Sequence, residues 1–162
     1  MTDEVKGKVI ERIEGMEAIL NDYRAKTAEI LTTDIDETLE QILDERAALI
    51  GTLDRLHDEL EQIVGAECTP EEKSSIEGAM KNKHVSLGLS APLKEIRKAA
   101  VKMRSVYLEA AEKDQQASIR VDARVKELRA ELEDLSGSKK TLDYFSRNKL
   151  EQKKGGSFDS SL

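Results

Sequence analysis

Apolar residues return every three or four positions at Ile35, Leu39, Ile42, Leu49, Leu53, Leu56, Leu60 and Ile63, and no proline interrupts them. A strand cannot use that spacing, because its side chains repeat every two residues. A helix gathers such residues on one face, and heptad spacing lets that face pack along another helix. Position 46 is the one seam site that is not apolar. Arg46 is expected to lay its stem along the groove and put its guanidinium in water, with a register-fixing role as the alternative. Gly51, inside the same helix, costs about 1 kcal/mol relative to alanine.

The pattern extends on both sides. Val9, Ile13, Met16, Leu20, Tyr23, Thr27 and Ile30 form an earlier seam of alternating four- and three-residue steps. "TTDIDE" separates the two, and Thr33 or Asp34 with Glu37 supplies a capping-box pattern. "GAECTPEE" stops the second helix near Gly65 and restarts a short one, with Thr69 as cap, Pro70 in the first turn and Glu72 at the box position. That helix fades near Lys81, and a second cap stands at Ser90. Leu93 to Leu135 contains neither glycine nor proline, so a third long helix is expected there. Its seam runs Leu93, Ile96, Ala100, Met103, Tyr107, Ala110, weakens through "EKDQQAS", and resumes at Val121, Val125, Leu128, Leu132 and Leu135 after a stutter-like change of register. Ala99, Ala100, Ala110 and Ala111 would let helices approach closely. "SGS" at 136–138 is expected to end the helix.

The resulting expectation is all-α: an elongated antiparallel bundle of three long helices plus a short helix and a flexible C-terminal tail. The bundle domain spans 1–138 and the tail 139–162. Composition supports helices over sheets. Charged residues make up 36% of the chain and aromatics 3%, whereas strands draw on aromatic and β-branched residues.

Charge excludes some partners. A net charge of −7 argues against nucleic acid, which requires a basic face. Residues 1–65 carry 17 acidic and 7 basic side chains, 66–138 carry 13 of each, and 139–162 carry 3 acidic and 6 basic. No apolar run reaches membrane-spanning length, so membrane insertion is not expected, and "MTDEVKGK" is charged where a signal peptide would be apolar. The chain reads as cytoplasmic. Cys68 is alone, with no Cys or His at metal-ligand spacing. Asp54 and His57 offer at most half of a di-iron bundle site, and "GLSAP" lacks the lysine and spacing of a phosphate loop. No catalytic residue, cofactor or metal is expected.

The tail is unusual for its aromatics. Tyr144, Phe145 and Phe158 are three of only five in the chain. Leu142, Tyr144, Phe145 and Leu150 are the apolar content of an otherwise polar, basic stretch. They are expected either to fold back on the bundle as a short helix or to serve as a docking element for another protein. Val125, Leu128, Leu132 and Leu135 have no evident partner helix, and an amphipathic helix of another protein, a second copy or the tail would complete that groove.

Three blocks together resemble FlgN-type flagellar export chaperones. They are "DIDETLEQILDERAALIGTLDRL", "EAAEKDQQASIRVDARVKELRAEL", and a spacer followed by "LDYF" and "GGSFD". The resemblance implies a cytoplasmic chaperone that binds the C-terminal helical segments of hook-associated flagellar subunits, prevents their premature assembly and delivers them to the cytoplasmic face of the export gate. It also implies that Tyr144 stands where the family's gate-docking tyrosine does. A homodimer stays open, as does the alternative of a structural coiled-coil protein that assembles with copies of itself.

Overall fold

The computed structural model describes residues 1–33, 35–81 and 88–155; the side chains of 35–37 and 150–155 lie outside that description. Among the described residues there are four helices and no strand. Helix α1 spans Asp3–Thr32, α2 Ile35–Glu67, α3 Pro70–Met80 and α4 Ala91–Gly155. The chain is an all-α helical bundle, divided into two compact units, Met1–Arg120 and Val121–Leu162.

Local chemistry sets the helix ends. Thr2 caps α1 by accepting a hydrogen bond from the Val5 amide at 3.3 Å, and Asp3 and Glu4 place negative charge against the positive end of the helix dipole. Thr69 and Glu72 form the expected capping box on α3, with Pro70 in its first turn. The Lys94 amide bonds to the Ser90 carbonyl at 3.1 Å, which puts Ser90 at the start of α4. Asp34, the other expected cap, lies outside the described residues.

Ion pairs fix the helix directions within the first unit. Lys26 meets Glu45 at 2.7 Å, Arg12 meets Glu59 at 2.7 Å and Lys8 meets Glu67 at 3.2 Å, so α1 and α2 are antiparallel. Lys6 meets Glu95 at 3.1 Å, Glu17 meets Lys102 at 3.0 Å, and Tyr23 donates to Asp114 at 2.9 Å. These numbers rise together, so α4 runs parallel to α1 and antiparallel to α2. The chain therefore returns to the starting end of α1 before α4 begins, and α3 lies in that return.

The expected seams become the core. Val9, Ile13, Met16, Leu20, Thr27 and Ile30 of α1 are buried, joined by Val5 one turn earlier. Of these, Val5, Val9, Ile13, Met16 and Leu20 pack with Leu60 and Val64 of α2, Ile76 and Ala79 of α3, and Ile96, Ala100 and Met103 of α4. A Cβ added at Gly15 would stand 3.3 Å from a Leu56 methyl, so the missing side chain lets α1 and α2 close together there.

Three expectations are corrected. Tyr107 is 52% exposed; Val106 packs against the core instead, and Tyr107 stands beside a cavity. The seam does not lapse in "EKDQQAS", because Ala117 is 1% exposed and the three/four rhythm continues from Ala110 through Asp114 to Ala117 and Val121. Finally, "SGS" at 136–138 does not end the helix, and the flexible tail expected from 139 is helical through Gly155. One glycine costs about 1 kcal/mol in a helix interior, which flanking helix-forming residues absorb. The Thr141 hydroxyl also bonds back to the Gly137 carbonyl at 3.0 Å within the turn.

Candidate partner-binding face

The second unit, as far as it is described, is the 121–155 portion of α4 alone. At 100° per residue, Val125, Leu128, Leu132, Leu135 and Leu142 fall on one side of this helix, at steps of three, four, three and seven. Exposure is 38% at Val125 and Leu128 and reaches 67% at Leu135 and Leu142. Phe145, three residues after Leu142, extends the edge of the stripe.

Tyr144 belongs elsewhere. It follows Leu142 by two residues, about 200° around the helix, so it stands on the side opposite the stripe. The Tyr144 and Phe145 rings still touch edge to face, with centroids 6.1 Å apart and planes at 72°. The seven described sequence-derived residues thus divide into a six-residue stripe and one tyrosine across from it. The eighth, Leu150, has its side chain outside the described residues. Arg124 beside the stripe pairs with Glu127 at 3.2 Å and with Glu131 at 3.3 Å along the same helix.

Sequence reasoning missed a second constellation, in the first unit. Arg46 does not put its guanidinium in water: its side chain is only 13% exposed. The guanidinium lies 4.7 Å over the Tyr23 ring and donates to both the Tyr23 hydroxyl and the Asp114 carboxylate. Tyr23 donates in turn to Asp114 Oδ1 at 2.9 Å. One residue from each long helix forms a polar layer across the core, and Arg46 Nε is buried without a partner. Tyr23 and Arg46 are each seam positions of their own helix, but Asp114 falls in the stretch where the sequence pattern weakens, so the sequence did not point to their meeting. A cavity of about 210 Å³ adjoins the layer, lined by Leu20, Leu49, Leu53, Tyr107, Ala110 and others. Alanines on α4 leave this space where larger residues would fill it.

His57 is half exposed and faces Glu61 at 3.4 Å. Burial, followed by the charge of Glu72, pushes the Cys68 thiol above its ordinary pKa, away from a reactive thiolate. Among the described residues no group of His, Cys, Asp or Glu is placed to hold a metal ion, and no helix is long and apolar enough to cross a membrane.

The class defined by these features is a helical bundle protein with an exposed apolar helix face. No protein-family model, curated protein or solved structure matches the chain.

Proposed function

We propose that this chain is a cytoplasmic export chaperone of the FlgN type, a binding protein and not an enzyme. The observation that carries the reading is the apolar stripe of α4, Val125 to Leu142, left open on a helix with charged flanks. Such a face suits an amphipathic helix, here the C-terminal segment of a hook-associated flagellar protein, whose apolar side would cover the leucines and keep that protein from assembling early. Tyr144, across the helix from the stripe, is then free for a second partner while cargo is held. That partner is the cytoplasmic face of the export gate.

The test is calorimetric titration of the purified chain with peptides taken from the C-terminal ends of hook-associated flagellar proteins. Leu132 is 65% exposed and lies outside the Met1–Arg120 unit, so Leu132→Asp should leave the melting of that unit unchanged while weakening cargo binding roughly tenfold or more, the scale of an anchor residue. Tyr144→Ala should retain cargo binding and reduce gate binding and motility. The reading falls if the native chain binds none of these peptides, or if Leu132→Asp binds as the native chain does.

A further inference from the structure

The same stripe carries an order of charges that selects a partner independently of any cargo. Over residues 127–134 the helix is acidic: Glu127, Glu131, Glu133 and Asp134 stand against Arg129 alone. Over residues 139–154 it is basic: Lys139, Lys140, Arg147, Lys149, Lys153 and Lys154 stand against Asp143 and Glu151. We propose that residues 121–149 of α4 pair antiparallel with the same residues of a second copy of this chain.

Orientation follows from the two blocks. Parallel pairing would set acidic against acidic and basic against basic, whereas antiparallel pairing sets each block against its opposite. A twofold axis through Leu135 makes the interface self-complementary, as a closed dimer requires. Residues whose numbers sum to 270 then face each other. Leu128 meets Leu142, Val125 meets Phe145, Leu135 meets its own copy, and Leu132 lies over the small Ser138. Glu131 meets Lys139, and Asp134 is within a turn of Lys140. One like-charge pair, Glu127 with Asp143, opposes these contacts, which occur twice by symmetry. Tyr144 stays on the outer side of the paired helices.

The pairing accounts for two observations together. A lone helix in water is marginal without an apolar face to bury, yet α4 continues through Gly137 to Gly155. Its exposed leucines are also covered once the copies pair, so a cargo helix would reach them by displacing the second copy.

Sedimentation equilibrium of the full chain without cargo tests the inference, and its outcome does not depend on whether any flagellar protein binds. The native chain should be dimeric. One variant, Glu131→Lys with Asp134→Lys, makes both blocks basic, and a second, Lys139→Glu with Lys140→Glu, makes the block junction acidic. Each alone should dimerise roughly tenfold more weakly, as reversed flanking pairs repel. Mixed in equal amounts, they should recover native-strength association as a heterodimer, because each altered flank then meets its opposite. All four positions are exposed, so both variants should keep native helicity by circular dichroism. A monomeric native chain at the highest attainable concentration overturns the proposal, as does a mixture no stronger than its components.

Discussion

Removing the Asp114 carboxylate is the sharpest probe of the first unit. Asp114→Ala leaves Arg46 with its side chain 13% exposed, one acceptor lost and its Nε already without a partner. Breaking a fully buried ion pair by deleting one member costs about 3–5 kcal/mol. Asp114 is 42% exposed, so water reaches the site and the expected loss falls to about 2 kcal/mol. For a domain of this size that corresponds to a drop of about 4–8 °C in melting temperature. Urea unfolding followed by helical circular dichroism measures it. Replacing the pair together, Arg46→Met with Asp114→Leu, removes the stranded charge and should recover most of the loss, since apolar residues of similar volume often match or exceed a buried ion pair. A double-mutant cycle should return a coupling of at least about 1 kcal/mol. If Asp114→Ala melts with the native chain and the cycle shows no coupling, Arg46 is satisfied by water and the layer is a surface feature.

Gly51 lies inside α2 with nothing within 4 Å of where a Cβ would stand, so Gly51→Ala should stabilise the chain by about 1 kcal/mol, read as a rise in the urea midpoint with unchanged slope. Glu45 is held below its ordinary carboxylate pKa by hydrogen bonds from Lys26 and then Gln41. A depressed pKa contributes stability above the ordinary value near 4.5 that disappears as pH falls through the lowered one. Glu45→Gln should therefore flatten the acid limb of the stability profile below about pH 4.5 and narrow its gap to the native chain as acid rises; an unchanged acid limb would count against the bridge.

The repeat of apolar residues was enough to find α1, α2 and the first half of α4, because burial against a neighbouring helix is itself what that spacing encodes. Val9 through Ile30 and the Thr69–Glu72 box needed no tertiary knowledge. Arg46 was different. On its own helix, a long basic side chain in a seam reads as one that reaches solvent. Only the arrival of Tyr23 and Asp114 from distant helices changes its environment, and no single-helix pattern contains that meeting. The helix end expected at Ser136–Ser138 failed for a related reason: glycine and serine lower helix preference by an amount that the residues around them outweigh. The exposure of Leu132 and Leu135 was legible as a missing partner, but the alignment of Leu142 with them, and the place of Tyr144 across from them, required the helix to continue.

The parallel course of α1 and α4 has a consequence for synthesis. Tyr23 and Asp114 are 91 residues apart, and translation at about 5–20 residues per second separates their emergence by roughly 5–18 s. In the later half of that interval, once residue 67 has emerged, α1 and α2 are both available but the third wall of their core is not, so the newborn hairpin carries its apolar seam half uncovered. Arg46 does not meet Asp114 until residue 114 follows it out. Until then, a charge in the middle of that waiting seam favours contact with water over contact with another apolar surface, because burying it unpaired is costly.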